Sequence, residues 1–80
     1  MPSGAQIRAA RALIGISAKE LGILSDVTLR TIQRFETVET TPPNRSGTLE
    51  RVKAALEAQG IEFIGDPDTS PGVRLRPSPK

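Results

Sequence analysis

Apolar residues recur three and four positions apart through the first 59 residues of this chain and then give way to strict alternation. Ile7, Ala10, Leu13 and Ile14 predict a first helix with one buried face, on which Arg8 points outward and Arg11 lies at the apolar edge. Ser3 and Gln6 have capping-box spacing at its start, and Gly15 stands one step past its end. Ser17 and Glu20 repeat the capping box, so a second helix should begin at Ala18, with Ile16 and Leu21 spaced as a hydrophobic staple. Leu21 and Leu24 are its expected core face, Gly22 is the small residue that lets the next helix approach, and Ile23 falls on the exposed side. Thr28 caps a third helix with Val27 and Ile32 as its staple. Between these two helices lies only Ser25-Asp26, and Asp is one of the few side chains that tolerates a left-handed turn residue.

Thr37–Thr48 reads as a loop, because Pro42-Pro43 forbids helix. Thr48 is the expected cap of a fourth helix to about Gln59, lined inside by Leu49, Val52 and Leu56 with Ala55 beside them. Gly60 followed by Ile61 has the form of a Schellman ending, with Ile61 packing back on Leu56. Residues 61–64 and 73–76 then alternate as strands around the turn-rich stretch 65–72, which predicts a hairpin. Asp66 and Asp68 belong to that turn rather than to any acid–base pair. The organisation is therefore a helical domain over 1–59, a hairpin over 60–76 and a disordered tail over 77–80.

Two capped helices joined by so short a link form a helix-turn-helix, and the third helix sorts in a way that gives this motif chemistry. Thr31, Ile32 and Phe35 fall on one side; Leu29, Arg30, Gln33 and Arg34 fall on the other. Leu at the outward start of a helix suits a thymine methyl, Arg30 matches guanine O6 and N7, and Gln33 matches adenine N6 and N7. Asn44, Arg45 and Ser46, just beyond, are donors of the kind that positions a protein on phosphates, as is Arg34. Arg8 is a further candidate.

Composition narrows the chemistry. The 80 residues make one small domain, with a formal net charge of +2, no Cys, no His and no Trp or Tyr. Thiolate metal sites and disulfides are excluded, and the side chain that ordinarily titrates near neutrality is missing. No catalytic constellation, metal cluster or cofactor motif is present, so an enzyme is not expected. No apolar run approaches membrane-spanning length, and a cytoplasmic, nucleoid-associated location is expected.

Across roughly residues 5–59 the chain resembles the Cro/CI-type, or XRE, helix-turn-helix regulators. Leu21-Gly22, Val27-Thr28, Thr31-Ile32 and Phe35-Glu36 carry the resemblance, together with the TLERVKAAL helix. It implies a mainly α, lambda-repressor-like bundle of about four helices, here with a C-terminal β-hairpin added. It implies binding of double-stranded DNA as a two-fold dimer, with helix 3 in the major groove. Ser17, Thr28 and Thr31 would then touch backbone, and Leu29, Arg30 and Gln33 bases. It also implies a structural salt bridge between Arg11 and Glu36. The chain departs from the family in having Asp26 where the turn usually carries Gly, Ser25 at a small apolar position, and Ala18 where a phosphate-binding Gln is common.

The expected function is that of a small bacterial or phage-type transcriptional regulator, a repressor acting by occupancy of an inverted-repeat operator. The hairpin, through Ile61, Phe63, Val73 and Leu75, is the expected homodimer contact. The rival reading is an antitoxin that autoregulates its promoter and grips a toxin through the hairpin or tail.

Overall fold

The structure, a computed structural model, describes residues 1–42 and 47–76. Its elements are α1 (Gly4–Ile14), α2 (Ala18–Ser25), α3 (Leu29–Glu36), α4 (Thr48–Ala58), β1 (Ile61–Ile64) and β2 (Gly72–Leu75). The architecture is mainly helical, with one two-stranded antiparallel sheet. No helix among the described residues is long and apolar enough to cross a membrane.

The helix starts follow their local chemistry. Ser3–Gln6 and Ser17–Glu20 form complete capping boxes, each hydroxyl accepting from the N3 amide and each N3 side chain accepting from the cap amide. The Thr28 hydroxyl accepts from Thr31 N. α4 differs from expectation: Gly47, at φ 70°, is its N-cap, and Thr48 is its first helical residue. A left-handed cap is open to a residue without Cβ, so the helix starts one position early. Its end is half the expected motif, with Gly60 at φ 99° donating to Glu57 O at 3.0 Å.

Ile7, Ala10, Leu21, Ile32, Phe35, Leu49, Val52, Leu56 and Ile61 are buried in one core to which all four helices and β1 contribute. Leu24 does not join it and is 48 % exposed. The buried face of α2 runs through Leu21, Gly22 and Ser25 instead, because α3 and α4 pack on the Gly22 side. A Cβ on Gly22 would stand 2.6 Å from Val27 O, so only glycine admits this approach. Ser25 fits there because its hydroxyl donates to Leu21 O at 2.7 Å. Leu13 is likewise 46 % exposed. It lies two turns beyond Gln6, which is the point on α1 where the hairpin is hydrogen-bonded.

The hairpin pairs Ile61 with Leu75, Glu62 with Arg74, Phe63 with Val73 and Ile64 with Gly72. β2 thus begins one residue before the predicted start, although Arg76 N still donates to Gly60 O at 2.8 Å. Phe63 and Val73 pack against the core, which holds the hairpin on the helices. Gln6 fastens it. Buried at the start of α1, its Oε1 accepts from Ser3 N, while its Nε2 donates to Ile64 O at 3.2 Å and Gly72 O at 2.8 Å. In the connector, Asp66 Oδ1 accepts from Asp68 N and Thr69 N, which gives that carboxylate a turn role.

Candidate nucleic-acid interface

The junction of α2 and α3 is tight because Asp26 takes the left-handed conformation, φ 57°, at the end of α2. Its N–H and that of Val27 close the turn on Ile23 O and Gly22 O. Arg51 of α4 donates to the Asp26 carbonyl at 3.2 Å and fixes the turn from behind. Asp therefore fills the place of glycine without opening the link between the helices.

This geometry orients α3. Ile32 and Phe35 are buried, and Leu29, Arg30, Gln33 and Arg34 are exposed together. Leu29 is 40 % exposed. The Arg34 guanidinium carbon stands 5.6 Å from the Phe35 ring centroid, within cation–π range. Thr28 uses its hydroxyl to cap the helix and to donate to Thr31 Oγ1 at 3.0 Å, so Thr31, half-buried, has the freer O–H of the two. Ser17 is exposed and accepts Glu20 N, which leaves its O–H available to an outside acceptor. Asn44, Arg45 and Ser46 lie outside the described residues.

Arg11 and Glu36 are a scaffold pair. Arg11 Nε and Nη2 reach the two Glu36 oxygens at 2.7 and 2.8 Å, and Nη1 donates to Ile16 O at 3.1 Å. One guanidinium thus ties the end of α1, the α1–α2 link and the end of α3. The hydrogen bond to Glu36 raises the Arg11 pKa above its ordinary value, partial burial works against it, and the Glu36 charge adds to the rise. A raised cationic pKa contributes stability that is present below the ordinary guanidinium range and lost only above it, so the Arg11 contribution is intact at neutral pH.

The placement of the remaining charges sets one surface apart. Arg8 pairs with Glu39, Lys53 with Glu57, and Arg74 and Arg76 both with Glu62. Among the described residues, the Lys and Arg side chains with no carboxylate partner are Lys19, Arg30, Arg34 and Arg51, and Arg51 is engaged with the turn carbonyl. The free positive charge is therefore carried by α2 and α3, on the side that presents Leu29 and Gln33. Arg8, a phosphate candidate from sequence, is instead held bidentate by Glu39 at 2.9 and 3.1 Å.

Two residues gain weight that sequence did not give them. Lys19 and Ile23 line a cleft of about 460 Å³ together with Thr28 and Leu29 at the start of α3. Their spacing of four puts them on one face of α2, but nothing local says that α3 begins alongside that face. The expected hairpin contact set is divided. Ile61 is buried in its own chain, Phe63 and Val73 are half-buried against the core, and Leu75 is exposed. Ile61 is thereby removed from any surface a second copy touches.

Among the described residues no group of His, Cys, Asp and Glu side chains could hold a metal ion. No protein-family model matches the chain, and no curated protein sequence matches it.

Proposed function

We propose that this protein is a sequence-specific DNA-binding transcriptional regulator of the Cro/CI helix-turn-helix kind, acting as a homodimeric repressor. The observation that carries the reading is the charge placement. Lys19, Arg30 and Arg34 on α2–α3 have no carboxylate partner, while Arg8 and Arg11 of α1, Lys53 of α4 and Arg74 and Arg76 of the hairpin are paired. A surface that presents three unpaired cations around an exposed Leu and Gln, with Glu20 and Asp26 as its acidic neighbours, suits a duplex, whose phosphates reward charge and whose base edges reward shape.

In this reading α3 enters the major groove and α2 crosses the backbone. Arg30 and Gln33 read guanine and adenine edges, and Leu29 contacts a thymine methyl. Lys19, Arg34, Ser17 and Thr31 hold phosphates, with Thr28, Asn44, Arg45 and Ser46 extending that set. Lys19 supplies from the second position of α2 the contact for which Ala18 has no donor. A two-fold dimer places two such helices on half-sites about 10 bp apart, or one further turn of DNA, and blocks a promoter by occupancy.

The test is repeated selection from a pool of random duplexes by the purified protein, starting at low salt. Enrichment of an inverted repeat is the expected result. A pool that stays random, or no retention of duplex at low salt, would contradict the reading.

A further inference from the structure

The cleft at the α2–α3 junction has a composition that the contacts above leave unexplained. Lys19 and Ile23, at i and i+4, lie on one face of α2, and Asp26, the left-handed residue just past its end, lines the same cleft. Gly22, Val27, Thr28 and Leu29 complete its lining. Ile23 is 72 % exposed, well above Leu13 or Leu24, and core packing gives no reason for it. Leu29, in the same lining, is exposed as well. Two solvated apolar side chains thus face one space of about 460 Å³, with an unpaired ammonium at one end and a carboxylate at the other.

We propose that this cleft reads the 5-methyl group of one thymine in each half-site, with Ile23 and Leu29 as its walls and Lys19 on a phosphate of the same strand. The inference rests on the DNA-binding reading and deepens it. A thymine methyl projects into the major groove, and its strand's phosphates run along the groove wall that α2 crosses. An apolar seat with a cation at its rim complements such an apolar group beside an anion. The opposite end of the cleft, at Asp26, repels phosphate, so the strand can lie in it with its phosphate only at the Lys19 end. Ile23 becomes a specificity-determining residue on α2, outside the recognition helix.

The experiment uses the duplex selected by the full chain and replaces each thymine singly by deoxyuridine, which lacks only the methyl. Wild-type protein should lose about fourfold in affinity at one thymine of each half-site, the equivalent of about 0.8 kcal/mol for one buried methyl-sized group. Ile23→Ala, at an exposed position, should keep its melting temperature and bring the thymine-to-uracil ratio there close to one. Lys19→Gln should weaken thymine and uracil duplexes equally and lower the salt slope by about one per protomer. Binding that is indifferent to uracil at every position overturns the proposal. So does a full methyl preference that survives Ile23→Ala, which would leave Leu29 as the sole reader. In both cases the duplex is still bound and the regulator reading stands; failure to bind any duplex overturns both.

Discussion

Arg11 and Glu36 show how much one side-chain pair can hold in a small domain. The carboxylate side chain is 10 % exposed and the guanidinium side chain 23 %. Glu36→Ala leaves that cation partly buried with only the Ile16 carbonyl. Losing one partner of a fully buried pair costs about 3–5 kcal/mol, and the water that reaches Arg11 should reduce this to roughly 2–3 kcal/mol. The loss should appear as a lower urea midpoint at unchanged slope; an unchanged midpoint would contradict the scaffold role. Arg30 is the opposite case, with no partner within the described chain. Arg30→Ala should leave stability within about 0.5 kcal/mol, as expected of an exposed side chain. It should cost roughly 1–3 kcal/mol of binding to the selected duplex and relax preference at one base pair, measured by anisotropy titration. Equal losses on selected and random duplexes would make it a phosphate contact instead.

Between elements, two close approaches decide the geometry. Gly22→Ala would put a methyl 2.6 Å from a backbone oxygen of the α2–α3 link, and backbone cannot swing aside as a side-chain end can. Overpacking of this kind costs about 1–3 kcal/mol. Because the displaced element is the start of α3, duplex affinity should fall together with the melting temperature. Gln6 governs the other approach, between α1 and the hairpin. Gln6→Leu removes the acceptor for Ser3 N and the donor shared by two strand carbonyls, at about 1–3 kcal/mol for each buried group left unsatisfied. Hydrogen exchange should then quicken in β1 and β2 before it does in α2 and α3. These elements differ in how far sequence could announce them. The caps at Ser3, Ser17 and Thr28 and the turn at Asp26 were legible because their partners lie within four residues. The outward set of α3 was legible because Ile32 and Phe35 leave one orientation only. Periodicity puts Leu13 and Leu24 on core stripes, but it marks a stripe without saying how far the neighbours extend along it, and both are exposed. The second use of Gln6 joins it to residues 58 and 66 positions away, and no local pattern carries that. The Arg8–Glu39 pairing, 31 positions apart, was hidden for the same reason and turned a phosphate candidate into a neutralised surface charge.

At the level of the whole molecule, the hairpin is part of the folded body, since Ile61 completes the core and Phe63 and Val73 extend it. What it offers a second copy is its outer strand edge and the exposed Leu75 rather than the inward side chains. Among the described residues, five of the nine Lys and Arg side chains are paired with carboxylates, while those of α2–α3 are open. Position of charge, not its sum, is therefore what should govern affinity. The most direct measurement of that claim is the salt dependence of binding to the selected duplex, taken for the wild type and for two sets of charge-removing variants. In the proposed dimer, Lys19 and Arg34 of two protomers would give four phosphate contacts, and with about −0.9 per contact the slope of log K against log salt should be about −3.6 or steeper. The double variant Lys19→Gln, Arg34→Gln should lose that part of the slope, whereas Arg74→Gln, which removes a cation already paired with Glu62, should leave it unchanged. A flat salt dependence, or equal loss of slope from Arg74→Gln, would contradict the assignment of the α2–α3 surface to DNA.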